Sequence, residues 1–222
     1  MSDVWNRIET LAGEIEEQFQ KTGSVIESGD SMYDWHSMVY TSSRFRRAHI
    51  HTIDCRESHK IYILHATIFP HYNDPSPIWG FDAVCGPNKI TGAFHDFSNA
   101  GDPEHPMMKW FANESSNYGW SKPRELPYWA KHIFSKSMVA AGNVQEPQEL
   151  DDLCAFALKS LNYYLENVGN TQQDISDYHM AQNRYCYYQK QNPHVVRSMV
   201  SMGVEESKIK QFIQEIQYPE TN

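Results

Sequence analysis

The chain has 222 residues, of which 40% are hydrophobic and 21% charged, a composition ordinary for one large globular domain. A formal net charge of −9 at pH 7 disfavours binding to nucleic acid or to an anionic membrane. Neither a signal peptide nor an apolar run long enough to span a bilayer is visible, so we expect a cytoplasmic protein.

Apolar residues recur at helical spacing near the N terminus and predict a helix over residues 1–21. Strand-like segments follow at residues 33–41, 44–53, 60–69, 77–85 and 89–97. Their short connections carry turn residues, which predicts mainly antiparallel pairing, because parallel strands need long crossovers.

Beyond residue 104 the pattern becomes helical. Helices are predicted at residues 106–115, 124–136, 147–167, 171–190, 194–202 and 204–216. One helix, then a strand meander, then helices indicate a single α/β domain over residues 1–222. In such a domain, helices cover both faces of one antiparallel sheet.

Asp82 interrupts the apolar strand 77–85, where burying a carboxylate is costly unless it is paired, hydrogen-bonded or protonated. Alternation places Asp82 and Gly80 on one face of that strand, and His51 and His65 occupy interior positions on the two strands before it. If the register permits, all three titratable groups face one cavity, where Gly80 leaves room for a ligand. A buried acid beside a histidine suits general acid catalysis.

His49 and His51 lie two residues apart and share a predicted strand face with Phe45 and Arg47. They could be metal ligands, although no cupin-like glycine pattern accompanies them and the four cysteines form no C-x-x-C pair. We therefore expect no metal site. Flavin, nicotinamide and phosphate-binding motifs are not visible either, so redox chemistry would draw its electrons from a partner.

Four segments together resemble the ferredoxin-dependent bilin reductases, most closely the branch that forms phycocyanobilin. They are Arg-Phe-Arg-Arg-Ala-His at 44–49, Ile-Leu-His-Ala-Thr-Ile-Phe-Pro at 63–70, Pro-Ile-Trp-Gly-Phe-Asp at 77–82 and Pro-Arg-Glu-Leu-Pro-Tyr-Trp at 123–129. The resemblance implies a three-layer α/β/α sandwich with biliverdin IXα between the sheet and the C-terminal helices. It also implies no cofactor bound by the protein itself, with single electrons from reduced 2Fe-2S ferredoxin passing through bilin radicals.

The resemblance also implies catalytic positions. Asp82 matches the family's proton donor and His65 the histidine that shares its proton. His51 stands where phycocyanobilin-forming members carry a Glu tied to vinyl reduction. The family's helix-side Asp, used in A-ring chemistry, falls at Asn192 or Pro193, and Asn192 is the favoured match.

These replacements predict reduction at the 15,16 methine bridge and then at the A-ring, giving phycoerythrobilin. One alternative product is phycocyanobilin, if His51 performs the role of the Glu in vinyl reduction. The other is 15,16-dihydrobiliverdin alone, if Asn192 does not support A-ring reduction. A non-catalytic bilin carrier and a His-rich metal enzyme are the alternatives from other classes.

Substrate contacts follow from the same resemblance. Arg124 matches an Arg that pairs with a propionate, and Thr91 stands near the other propionate. His49 matches a histidine beside the pocket, and Gly80 and Trp129 complete the predicted binding set. The basic residues Arg44, Arg46, Arg47 and Lys60 are our expected docking patch for an acidic ferredoxin on a monomeric protein.

Overall fold

The computed structural model describes residues 3–28, 35–171 and 177–221. They contain one seven-stranded sheet whose strands follow chain order, each pairing antiparallel with the next. The strands are β1 (Ser24–Ser28), β2 (His36–Thr41), β3 (Phe45–Cys55), β4 (Ile61–Pro70), β5 (Ile78–Cys85), β6 (Ile90–Ser98) and β7 (Val139–Val144). The predicted five-strand meander is confirmed as β2–β6, and β1 and β7 extend it at either edge.

The helices are α1 (Asp3–Thr22), α2 (Pro106–Ser115), α3 (Pro147–Asn167), α4 (His179–Gln189), α5 (Pro193–Ser201) and α6 (Glu206–Phe212). A 3₁₀ turn spans Tyr128–His132, and a π-helical turn, Ile213–Gln217, follows α6. No helix in the described part of the chain is long and apolar enough to cross a membrane.

The predicted helix over 124–136 is wrong apart from the 3₁₀ turn, because Pro127 immediately before that turn cannot continue a helix from the segment preceding it. Three other predicted elements extend beyond the described residues, at 1–2, 33–34 and 172–176. Within the described residues, the first becomes α1, the second β2 and the third α4.

Helices cover both faces of the sheet and bury two separate apolar cores. On one face, α1, α2 and α3 enclose a core that includes Phe19, Leu64 and Trp79. On the other face, the C-terminal segments enclose a core that includes Tyr185 and Phe212. The three-layer α/β/α sandwich is therefore confirmed, and polar strand positions on the second face lie beneath the C-terminal helices.

An irregularity at the start of β3 corrects one face assignment. The pairing of β3 with β4 shifts between Phe45 and Arg47. Phe45 consequently packs into the core beneath α1, whereas Arg47 reaches the opposite face and donates a 2.6 Å hydrogen bond to the carbonyl of Ile216. Such a bulge adds one residue to a strand and reverses the alternation before it.

The four basic residues expected to bind ferredoxin do not form one surface. Arg47 is buried. The Arg46 guanidinium lies over the rings of Phe69 and Tyr72, at 4.8 Å and 4.7 Å from their centroids. Arg44 and Lys60 lie at opposite ends of the β3–β4 hairpin, because Arg44 precedes β3 and Lys60 ends the turn before β4. The four residues therefore do not form one continuous exposed patch, and the site of ferredoxin docking stays a prediction.

Candidate active site

A single row of residues crosses the sheet and contains the three predicted titratable groups. His51 lies directly opposite His65, and His65 lies directly opposite Asp82. Residues paired in this way have Cβ atoms about 4.5–5.5 Å apart and point to the same face. The register thus brings His51, His65 and Asp82 side by side on the face covered by α4, α5 and α6.

A cavity of about 560 Å³ lies between this row and the C-terminal helices. Its volume falls within the range of roughly 300–1,000 Å³ that is typical of ligand pockets. Eight of the nine predicted site residues line it: His51, His65, Gly80, Asp82, Thr91, Arg124, Trp129 and Asn192. The ninth, His49, is fully buried behind the cavity wall.

Asp82 is half-buried because its carboxyl faces the cavity, and protein surrounds it elsewhere. Burial raises the pKa of Asp82 to about 7 and lowers the pKa of His65 to about 3. Below about pH 7 the proton of this pair therefore lies on Asp82, and His65 is neutral. The His65 Nε2 atom lies 2.9 Å from the hydroxyl of Tyr218, which extends the polar path toward the C-terminal segment.

Three imidazoles stand next to one another at the base of the cavity. The ring centroids of His51 and His65 are 4.9 Å apart, and those of His49 and His51 are 5.2 Å apart. Burial lowers the pKa of His49 and of His51 well below the usual value. All three rings are therefore neutral at neutral pH. His49 Nε2 lies 3.1 Å from Ser37 Oγ.

Arg124 occupies a groove made by two glycines that face each other on β6 and β7. Gly92 pairs with Gly142, and a Cβ added at either position would lie 2.8 Å or 3.0 Å from the Arg124 guanidinium. The Arg124 backbone N–H donates a 2.8 Å bond to Ala140, which fixes this segment against β7. Since Arg124 is exposed and lines the cavity, its charge is available to an anionic group there.

Asn192 reaches the cavity from the opposite, helical wall. It is the N-cap of α5, and its Oδ1 accepts a 3.0 Å hydrogen bond from the backbone N–H of His194. Trp129 enters from the 3₁₀ turn. On the sheet side, the Thr91 hydroxyl donates a 2.9 Å bond to the carbonyl of Val84. The predicted residues therefore enclose one cavity from both sides.

Sequence reasoning missed several cavity residues. Asp96 lies opposite Gly80 in the neighbouring row, and its carboxylate accepts bonds from Ser135 and Ser98. Burial raises the pKa of Asp96 to about 6 against the effect of those bonds. Asp96 shares a face of β6 with Phe94, the partner of Asp82, so the register of β5 with β6 is the signal that locates it. Tyr185 and Tyr218 come from distant segments, and no local pattern signals that they reach this cavity.

Comparisons with known proteins agree with this architecture. A family model described as ferredoxin-dependent bilin reductase matches residues 2–219. A phycocyanobilin:ferredoxin oxidoreductase of Prochlorococcus marinus (strain MIT 9313) is 26% identical over 204 residues, which cover 87% of this chain and 75% of that protein.

Two solved structures are similar in fold. A PcyX structure is 25% identical, with a TM-score of 0.71 over 97% of this chain and 99% of its own. Phytochromobilin synthase from tomato, solved in complex with biliverdin, is 15% identical, with a TM-score of 0.71 over 95% of this chain and 82% of its own.

Proposed function

The chain belongs to the ferredoxin-dependent bilin reductases, oxidoreductases that act on bilins, and we propose that it reduces biliverdin IXα in the cavity described above. The observation that carries this proposal is the row of His51, His65 and Asp82 facing that cavity. Reduced ferredoxin supplies the electrons one at a time, and the bilin carries the unpaired electron between transfers. The protein itself binds the bilin and supplies protons.

Asp82 is the proposed proton donor to the bilin. Its pKa of about 7 lies near neutral pH, which is the condition for an efficient general acid at that pH. His65 is its direct neighbour in the row and, being neutral, can pass a proton to it. The Tyr218 hydroxyl, at 2.9 Å from His65, continues the path by which Asp82 is reprotonated.

The proposed product is phycoerythrobilin, formed by reduction of the 15,16 methine bridge and then of the A-ring. The replacement at His51 supports this product rather than phycocyanobilin, because a neutral, buried imidazole is a weaker proton donor to the vinyl group than a carboxylic acid. Asn192 hydrogen-bonds but cannot act as an acid, so the A-ring proton comes from solvent or from another group. Phycocyanobilin and 15,16-dihydrobiliverdin are the alternative products.

Arg124 is the proposed partner of one propionate, since its guanidinium can bind a carboxylate with two parallel hydrogen bonds. Thr91 lies near the position proposed for the other propionate, and Gly80 and Trp129 contact the tetrapyrrole. His49 has no exposure to the cavity and contributes by orienting His51.

Ferredoxin docks, in this proposal, at the rim of the cavity rather than at the hairpin residues predicted from sequence. Exposed Lys131 and Lys136 flank cavity-lining residues, and exposed Arg184 donates to the backbone carbonyl of His132 beside them. Charge reversal at Lys131 should raise the ferredoxin concentration needed for half-maximal rate, more strongly at low salt. The matched control is Lys60→Glu at the distant hairpin turn, and equal effects of the two changes would contradict rim docking.

Product identification tests the function directly. The protein is incubated with biliverdin IXα and reduced ferredoxin, and the bilins are separated by chromatography and identified by absorbance. Phycoerythrobilin is the expected product. Phycocyanobilin would overturn the argument from His51. Stoichiometric binding of biliverdin without its consumption would show that the protein is a bilin carrier and not an enzyme.

A further inference from the structure

We infer that His49, His51 and His65 form a binding site for one divalent transition-metal ion at the base of the cavity. These three histidines are called the His triad below. Each offers a ring nitrogen, and the three nitrogens all lie within 4.8 Å of one another. The inference goes beyond the proposed function, which uses the same side chains without a metal.

The separations between the ring nitrogens of the His triad are close to those of three histidines bound to one ion. Zinc–imidazole bonds of about 2.1 Å in tetrahedral geometry put ligand nitrogens about 3.4 Å apart. The rings must therefore move together by at most about 1.4 Å from separations of up to 4.8 Å. Rotation about side-chain torsions supplies a movement of this size without a change in the strands.

The hydrogen bonds around the His triad favour metal binding by Nδ1. His49 Nε2 lies 3.1 Å from Ser37 Oγ, and His65 Nε2 lies 2.9 Å from the Tyr218 hydroxyl. The Nδ1 atoms of all three rings are buried and have no hydrogen-bond partner among the described residues. Metal-binding histidines commonly use one ring nitrogen for the ion while the other is held by a hydrogen bond.

The donor set selects the class of ion. Neutral imidazoles suit Zn²⁺, Ni²⁺ and Cu²⁺, whereas Mg²⁺ and Ca²⁺ prefer oxygen ligands. His51 and His65 line the cavity, so an ion reaches the site from there. Asp82, the neighbour of His65 in the row, lines the same cavity.

The test is zinc titration of the complete chain without bilin, using calorimetry or competition with a chromophoric chelator. The wild-type protein should bind one Zn²⁺ tightly. Ser37→Ala should weaken binding by about 10–100-fold, the usual effect of removing a hydrogen bond to a ligand. His51→Gln should weaken it further, and His59→Gln, at an exposed turn, should leave it unchanged.

Two results would overturn the inference: no tight site in the wild-type protein, or equal affinity in wild type and His51→Gln. Zinc-edge anomalous diffraction on wild-type crystals gives a check that needs no variant. An ion located away from the His triad, or no ordered ion, also overturns it. Since bilin is absent throughout, neither result bears on the proposed reductase activity.

Discussion

Replacing Asp82 by Asn removes the proton while keeping the shape of the side chain, and it should change stability in a pH-dependent way. The pKa of Asp82 is about 7 in the folded protein against an ordinary value of 3.8. The folded state therefore binds more protons than the unfolded state between these values, and wild-type stability falls as pH rises through them.

The size of this effect follows from the two pKa values. Their difference corresponds to about 4 kcal/mol, at about 1.36 kcal/mol per pK unit. Solvent in the cavity screens the half-buried carboxylate, which reduces the expected effect to about 2 kcal/mol. Relative to wild type, Asp82→Asn should thus gain about 2 kcal/mol in unfolding free energy between pH 4 and pH 8.

Urea denaturation of both proteins across this pH range measures the difference, and groups unaffected by the substitution cancel. Glu57→Gln, which removes an exposed carboxyl from the β3–β4 turn, is the matched control and should parallel wild type. If the Asp82→Asn curve also parallels wild type, Asp82 has no raised pKa, and the argument that it holds a proton near pH 7 fails.

The same variant should lose turnover while retaining biliverdin binding. General acid catalysis contributes about 10²–10⁴-fold, or about 2.7–5.4 kcal/mol of barrier. Wild-type kcat/KM should fall as pH rises above about 7, because Asp82 then loses its proton, and residual activity of the variant should lack that fall. Full activity with an unchanged pH profile would remove Asp82 from the role of donor.

Three further variants test the walls of the cavity. Asn192→Asp should keep the N-cap of α5, so the unfolding free energy should change by less than about 0.5 kcal/mol. The variant should raise the share of A-ring-reduced product, measured by chromatography. An unchanged share would contradict a role of this position in A-ring reduction. Gly142→Ala should displace the Arg124 side chain, because the added Cβ occupies its position. Since a charged hydrogen bond is lost, KM for biliverdin should rise by about 10–100-fold while kcat changes little. An unchanged KM would show that Arg124 does not bind the propionate. His51→Glu should shift the product toward phycocyanobilin, and an unchanged product distribution counts against a vinyl-directing role at this position.

Local pattern was sufficient for the centre of the sheet but not for its edges. The long strands β3, β4 and β5 alternate clearly, and Asp82 stands out because it breaks an apolar run. Strand β7 was missed because it consists mostly of small residues, with Gly142 at its middle, and such residues have low strand propensity. Strand β1 was missed because it is short and its apolar residues are exposed.

Which residues of neighbouring strands lie side by side could not be predicted from the local sequence of each strand. Alternation assigns a face to His51, His65 and Asp82, but only register makes them direct neighbours, and register depends on turn lengths and bulges along the whole meander. The bulge between Phe45 and Arg47 shows how one extra residue reverses the alternation of faces along a strand. The contact of Tyr218 with His65 joins positions 153 residues apart, so no local signal could predict it.

The positions of the site residues give a physical reason why a small number of substitutions would be enough to change the product of this proposed reductase. In the proposed mechanism the row from His51 to Asp82 delivers protons from the sheet wall, whereas Asn192 stands on the helical wall of the same cavity. A bilin held between these walls, with a propionate fixed by Arg124, presents different atoms to each. Changing an acid on one wall therefore alters which atoms can be protonated without altering how the bilin is held. In the proposed mechanism, Asp82 at the end of the row serves whichever reduction comes first, and His51 on the sheet wall and Asn192 on the helical wall select the later steps.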